Sequence, residues 1–256
     1  MLSFKIEAFL GLILKREYHY ELEVQIYFNE KREALLTNLN HYTVWLFDLD
    51  GTLISSDVAI IESCLATLNK YGCREVSENE IRSMIGTPVG SIFSTYLAPD
   101  QVFEAKTYYS NYLISITTEF SFLVKDIIET LEYLKSINAC IKVVTNKESW
   151  LATEILTLLG CISYFEQVIG CDKGAAKPSR QLIDLALGEC KKHFAIMVGD
   201  SFQDIKAAQN AGIDSILIAK EKPLFDEFDA FGSTLVLNSI SDLLEQLMKP
   251  ERSKLD

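Results

Sequence analysis

Short apolar runs alternating with helical patterns organise most of the chain. From residue 43 onward the runs are rich in β-branched and aromatic residues, and they read TVWLF, CIKVV, FEQVIG, FAIMVG, SILIA and TLVL. Because most of these runs are continuously apolar, we expect strands that are buried on both faces, which is typical of a parallel sheet covered by helices. The pattern predicts an α/β fold with a mostly parallel sheet.

The stretch from residue 57 to about residue 122 lacks these runs and is almost wholly helical in pattern. SENE at residues 77–80 matches a capping box, and DQVFEAKTYYSNYLISI at residues 100–116 has apolar residues at helical spacing. We therefore predict a helical insertion over 57–122 that forms a small second domain. The sheet domain would comprise 43–56 and 123–248, followed by a C-terminal tail over 249–256.

Residues 1–42 precede the first predicted strand and form an N-terminal extension of unknown role. AFLGLILK is much shorter than the roughly 20 apolar residues that a membrane span requires, and no small-residue cleavage site follows it. ELEVQIYF alternates apolar and polar positions, which predicts a strand. We expect one helix and one strand that pack on the core or on a second subunit, so a homodimer is compatible with the sequence.

Charge and cysteine usage narrow the class of protein. A formal net charge of −12 argues against nucleic-acid binding, which requires clustered lysine and arginine. The six cysteines show no CxxC spacing and there are three histidines, so we expect no zinc cluster. Scattered thiols are typical of a reducing, cytoplasmic setting, and we expect no membrane association.

Polar residues directly after three predicted strands form the candidate site. Ligands of open α/β sheets bind beyond the carboxyl ends of the strands. Those ends carry Asp48–Thr52, Thr145–Lys147 and Asp200–Ser201, with Asp204 one turn into the next helix. Pro178 favours the first position of a helix through SRQLIDLALGEC, which would place Lys177 at the mouth of that helix. We expect all four groups to converge at one edge of the sheet.

This set of groups is suited to phosphoryl transfer. Asp48 could attack phosphorus in line and form an aspartyl phosphate. Mg²⁺ bound by Asp48, the carbonyl of Asp50 and Asp200 would offset the repulsion between the anions. A positive charge and two hydrogen-bond donors would contact the transferring oxygens, and these are Lys177, Thr145 and Asn146.

Asp50 has a separate task in this hypothesis. The leaving alkoxide must be protonated, and a water must later be deprotonated. Two residues along an extended chain span roughly 6–7 Å and point to the same side. Asp48 can therefore face the phosphorus while Asp50 reaches the bridging oxygen, and Gly51 fits a backbone turn close to the phosphate.

Each motif taken alone has a simpler explanation. Asp-x-Asp-Gly is often a turn or a calcium loop, and Thr145–Asn146 after a strand is often a turn with a helix cap. A lysine before proline is usually exposed, and Ser201 could merely cap its helix. The occurrence of all four motifs, in this order and at strand ends, favours a phosphate-transfer site.

The sequence resembles the haloacid dehalogenase superfamily of phosphohydrolases, and within it the phosphoglycolate-phosphatase-like group. DLDGTL, VVTN, the lysine of KPSR and VGDSFQDIKAAQNAG resemble its four motifs over residues 43 to about 220. The resemblance implies a Rossmann-like core, a helical cap inserted after motif one, Mg²⁺ and a phosphoaspartate intermediate. Two features depart from the group, since TEFSFLVKDII lacks a Pro-Gly pair and Ser179–Arg180 replaces a small-Pro pair.

The resemblance also implies a role for each matched residue. Asp48 would be nucleophile and metal ligand, Asp50 would be acid/base and carbonyl ligand, and Asp200 would be a metal ligand. Thr145 and Lys177 would hold the substrate phosphate and Asn146 would assist. Gly51 and Thr52 are further candidates for substrate binding. Ser201 and Asp204 of motif four would lie in the outer shell of the metal, and Asp204 is also an alternative metal ligand.

We therefore expect a Mg²⁺-dependent phosphatase acting on a small phosphorylated metabolite. Asp50 argues against dehalogenation, which has no alkoxide to protonate. A phosphomutase of the β-phosphoglucomutase type has the same motifs and is the alternative enzyme, and a non-catalytic binding protein of the same fold is the alternative outside enzymes. Arg82 in EIRSMIG is either a substrate contact or an exposed helix residue.

Overall fold

A six-stranded parallel sheet lies at the centre of the part of the chain that the structure describes, residues 39–219 and 234–249 of a computed structural model. Its strands are β1 (Val44–Phe47), β4 (Cys140–Val144), β5 (Gln167–Ile169), β6 (Ala195–Gly199), β7 (Asp214–Ile218) and β8 (Leu235–Leu237). They lie in the order β5-β4-β1-β6-β7-β8, and each neighbouring pair is parallel. The predicted α/β fold with a mostly parallel sheet is confirmed. The helix and strand predicted within residues 1–42 lie outside the described residues.

Four helices occupy residues 57–120, all of which are described, and we call them the helical insertion. They are α1 (Asp57–Lys70), α2 (Glu78–Met84), α3 (Val89–Tyr96) and α4 (Pro99–Phe120). The chain enters and leaves the insertion through β2 (Ile54–Ser55) and β3 (Phe122–Leu123), which pair antiparallel. The predicted capping box is present, because Glu80 N donates to Ser77 Oγ and Ser77 N donates to Glu80 Oε2. The division into two domains stays a prediction.

In the sequence, the remaining helices lie between strands of the sheet or after its last strand. They are α5 (Ile127–Ser136), α6 (Ser149–Leu158), α7 (Gln181–Leu187), α8 (Phe202–Ala211) and α9 (Ile240–Met248), and short 3₁₀ turns occur at Leu39–His41, Ile162–Tyr164 and Lys192–Phe194. All four residues of β1 are buried, which explains why the VWLF run is apolar without alternation. On one side of the sheet, Leu46 and Met197 pack with Leu182 and Ile183 of α7.

The helix predicted to start at Pro178 starts later, so that prediction is wrong. The first residue of α7 is Gln181. Ser179 N donates to Ala176 O at 2.9 Å, which closes a turn across Lys177 and Pro178. The backbone N–H and C=O of Lys177 are both bound by the side chain of Asn146, so they are held outside the helix.

All six cysteines lie within the described residues and are free thiols. Burial raises the pKa of Cys64 to about 12 and that of Cys161 to about 11, so both stay protonated near neutral pH. Within residues 39–219 and 234–249, no helix is both long enough and apolar enough to cross a membrane.

We predict that Leu182→Ala lowers the free energy of unfolding by about 2–5 kcal/mol, because it leaves a cavity in the packed side of the sheet. Leu182 is fully buried, whereas Leu185 on the same helix is 50% exposed. Leu185→Ala removes the same atoms and should change the free energy by less than about 0.5 kcal/mol. Urea denaturation followed by circular dichroism measures both, and equal losses would contradict the packing of α7 described above.

Candidate active site

Three loops meet at the carboxyl edge of the sheet because the strands that precede them are neighbours. β4 and β6 lie on either side of β1, so the residues after all three strands lie side by side. The backbone joins them as well, since Asp48 N donates to Val198 O at 2.9 Å. The structure thereby brings together most of the residues that the sequence predicted for the site: Asp48, Asp50, Thr145, Asn146, Lys177, Asp200, Ser201 and Asp204.

The ammonium group of Lys177 lies at the centre of this cluster. Its Nζ is 2.5 Å from Asp48 Oδ1 and 2.5 Å from Asp204 Oδ1. It also donates to Val144 O at 2.8 Å, so each of its three protons has an acceptor. Lys177 is 5% exposed, which means that its charge is compensated by these contacts and not by water.

Burial and charge oppose each other in this cluster. Burial by itself would lower the pKa of Lys177, but the carboxylates of Asp204 and Asp48 outweigh it and hold that pKa above its usual range. Burial raises the pKa of Asp48, Lys177 opposes this, and the negative charges of Asp204 and Asp200 raise it further. An additional cation beside Asp48 would therefore favour its ionised form.

Three carboxylates form the acidic part of the site. Asp48, Asp200 and Asp204 each offer an oxygen, and these oxygens lie within 4.8 Å of one another. Asp204 is fully buried, and its Oδ2 accepts hydrogen bonds from the backbone N and the Oγ of Ser201. An oxygen-only donor set with this charge suits a hard divalent cation such as Mg²⁺. The residues present therefore fit the metal that the sequence implied.

Asp50 has two hydrogen-bonding partners that the sequence analysis did not predict. Ser56 Oγ donates to Asp50 Oδ1 at 2.7 Å, and Lys147 Nζ lies 3.0 Å from Asp50 Oδ2. Lys147 follows Asn146 at the end of β4, so its place at a strand end was visible in the sequence. Its pairing with Asp50 was not visible, because the two residues come from different strands.

Thr145 and Asn146, the two residues after β4, make different hydrogen bonds. Thr145 is 1% exposed and lines the central cavity, and its Oγ1 accepts from Lys147 N at 3.1 Å, which leaves the hydroxyl proton to donate. Asn146 uses both amide protons on carbonyl oxygens, those of Lys177 and of Gly86 in the helical insertion. Asn146 therefore positions Lys177. Its contact with the substrate phosphate stays a prediction.

Gly51 and Thr52 support the site from behind. Neither residue is among the described residues that line the cavity. Gly51 has φ +91°, and a Cβ there would lie 1.9 Å from Asp200 Oδ2, so only glycine allows this approach. Thr52 is fully buried, and its Oγ1 has no hydrogen-bond partner within the described residues. Their contact with the substrate phosphate stays a prediction.

A cavity of about 480 Å³ separates the sheet edge from the helical insertion. Its core side includes Asp48, Asp50, Lys147 and Lys177, and residues 85–92 with parts of α4 form the opposite side. This volume lies within the roughly 300–1,000 Å³ of small-molecule sites. The candidate Arg82 does not line the cavity, but its half-exposed side chain lies 3.6 Å from Asp57, which does line it. Both alternatives for Arg82 stay predictions.

Comparisons with known proteins find hydrolases that are similar to this chain in sequence and fold. The sequence profile of the family described as haloacid dehalogenase-like hydrolase matches residues 45–218. The chain is 31% identical to pyrophosphatase PpaX of Bacillus velezensis (79% of this chain, 94% of the relative) and 28% identical to phosphoglycolate phosphatase of Neisseria meningitidis (84% and 97%). A solved haloacid dehalogenase-like family hydrolase from Streptococcus pneumoniae superposes with a TM-score of 0.69 at 26% identity (80% and 98%).

We predict that Gly51→Ala weakens the binding of Mg²⁺, because the new methyl group must displace the Asp200 carboxylate. Gly72→Ala is the matched control, since Gly72 has φ +86° and no atom within 4 Å of the added Cβ. Both positions have a left-handed φ that strains an alanine, and Gly51→Ala alone carries the clash. Isothermal titration with MgCl₂ compares them, and equal affinities would show that Asp200 does not contribute to the metal site.

Proposed function

Because this chain belongs to the haloacid dehalogenase-like hydrolase family, we propose that it is a Mg²⁺-dependent phosphatase that hydrolyses a small phosphomonoester through an aspartyl phosphate on Asp48. The observation that carries this proposal is the placement of Asp48 in the cavity wall, with Lys177 against one of its oxygens. The relatives named as a pyrophosphatase and a phosphoglycolate phosphatase support a small phosphorylated substrate.

In the first half of the reaction, a carboxylate oxygen of Asp48 attacks the phosphorus in line. The bond between phosphorus and the leaving oxygen breaks, and Asp50 supplies the proton that the leaving oxygen takes up. Lys177 and the hydroxyl of Thr145 offset the charge on the transferring oxygens. Ser56 and Lys147 hold the carboxyl group of Asp50 in place for this step.

In the second half, water attacks the phosphorus of the aspartyl phosphate. Asp50 takes a proton from that water, the bond between phosphorus and Asp48 breaks, and inorganic phosphate leaves. The helical insertion covers the cavity opposite the sheet edge, which limits the water that reaches the reacting atoms. One carboxyl group can therefore act as acid and then as base within a single turnover.

The metal would be held by Asp48, the backbone carbonyl of Asp50 and Asp200. When bound, Mg²⁺ supplies positive charge that offsets the repulsion between the phosphate and Asp48. Asp204 already bonds Lys177 through Oδ1 and Ser201 through Oδ2, so it orients those groups and leaves direct ligation to the others.

The free state of all six cysteines supports a reducing, cytoplasmic setting as part of this proposal.

We predict that the protein hydrolyses p-nitrophenyl phosphate with Mg²⁺ and that Asp48→Asn lowers kcat by roughly 10³-fold or more, because the amide cannot form the aspartyl phosphate. EDTA should abolish turnover, and added Mg²⁺ should restore it. Release of p-nitrophenol measures both effects. Asp57→Asn removes another carboxylate from the same cavity wall and should cost far less. Full activity in Asp48→Asn would exclude this mechanism.

We predict that Asp50→Asn slows turnover and lengthens the life of the phosphoenzyme, because the variant cannot deprotonate the attacking water. Mass spectrometry after rapid acid quench should detect a phosphate on Asp48 for longer than in the unsubstituted protein. Unchanged steady-state turnover in Asp50→Asn would remove Asp50 from its acid/base role.

A further inference from the structure

We infer that Lys106 selects the substrate by binding a second anionic group, carried by the part of the substrate that leaves. This inference rests on the proposed function, since it concerns the opposite side of the same cavity. The substrate would carry this anion, a carboxylate or a second phosphate, on the leaving side of the scissile bond.

Lys106 comes from α4 and lines the cavity from the side of the helical insertion. Its Nζ lies 2.5 Å from Oε1 of Glu148, which precedes α6 in the loop after β4. The side chain of Lys106 is 32% exposed and that of Glu148 is 21% exposed. A pair that is only partly buried exchanges partners at a smaller desolvation cost than the buried pairs around Lys177.

The cavity has three lysines within the described residues, and their partners differ. Lys177 and Lys147 are paired with Asp48, Asp204 and Asp50, which belong to the phosphoryl-transfer groups. Glu148 has no part in that chemistry. Lys106 is therefore the cavity cation that can give its charge to the rest of the substrate without disturbing the reacting end.

The surroundings hold Lys106 against the cavity wall. Gly90 in the first turn of α3 has no side chain, and a Cβ there would lie 3.4 Å from Cδ of Lys106, so the lysine stem packs against the backbone. Val89, Gly90 and Ser91 line the same part of the cavity. The positive end of the α3 dipole thus adds to the charge of Lys106 and favours an anion.

Glu148 serves in this inference as the group that the substrate anion replaces. Its Oε2 accepts a hydrogen bond from Trp150 Nε1 at 2.9 Å, so the carboxylate remains anchored when Lys106 leaves it. If the ion pair between Lys106 and Glu148 only linked the helical insertion to the loop after β4, loss of either residue would have the same effect on every substrate.

The experiment measures selectivity with two matched pairs of substrates. Phosphoglycolate is compared with 2-hydroxyethyl phosphate, which replaces the carboxylate by a neutral alcohol, and pyrophosphate is compared with methyl phosphate. For each pair the ratio of kcat/KM, anionic over neutral, is determined with Mg²⁺. The variants are Lys106→Gln, Lys106→Arg and Glu148→Gln, and the control is Lys70→Gln, a lysine of α1 that does not line the cavity.

We expect Lys106→Gln to lower the ratio of kcat/KM, anionic over neutral substrate, by about 10- to 100-fold in at least one pair. This is the size of effect that the loss of one charge-assisted hydrogen bond produces. Lys106→Arg should restore most of it, Glu148→Gln should raise it, and Lys70→Gln should leave it unchanged. The pair that responds identifies the anion as carboxylate or phosphate. Opposite signs for Lys106→Gln and Glu148→Gln distinguish an anion receptor from a structural ion pair.

Equal losses for the anionic and neutral substrates in Lys106→Gln would overturn the inference. A preference for 2-aminoethyl phosphate that Glu148→Gln abolishes would also overturn it, because Glu148 would then be the receptor and its ligand a cation. Either result leaves the proposed function intact as long as Asp48→Asn abolishes turnover of p-nitrophenyl phosphate. Loss of that dependence on Asp48 would refute the proposed function itself.

Discussion

The buried ammonium of Lys177 is the interaction on which the site depends. Three carboxylates with oxygens within 4.8 Å of one another repel strongly when they are removed from water. Lys177 offsets two of them and uses its third proton on the carbonyl at the end of β4. The turn that carries Lys177 is held through Asn146, which binds both its N–H and its C=O.

The sheet order determines what else reaches this ammonium. β1 lies between β4 and β6, so the aspartates after β1 and β6 and the polar residues after β4 share one edge. The helical insertion leaves that edge after β2 and returns at β3, and it forms the opposite wall of the cavity. In the function that we propose, phosphoryl transfer takes place at the sheet edge, and the residues of the insertion contact the rest of the substrate.

The strands could be predicted from the local pattern of apolar residues. Contacts between side chains that are distant in the sequence could not be predicted. The apolar runs gave the strands of the sheet, because burial on both faces selects such runs. The start of α7 was misplaced, because the turn at Lys177 is held by a side chain that comes 31 residues earlier. The hydrogen bonds from Asn146 to the carbonyls of Lys177 and Gly86 were not predicted, because only the folded chain brings these groups near each other.

The sequence by itself determined the class of fold and the polar residues at the ends of the strands, because these follow from local periodicity and from motif spacing. Tertiary structure alone decided that Lys177 bridges Asp48 and Asp204, that Lys147 pairs with Asp50, and that Lys106 pairs with Glu148. The physical reason is that charges pair by distance in space. Lys177 and Asp48 are 129 residues apart in the chain, and no local pattern records such a contact.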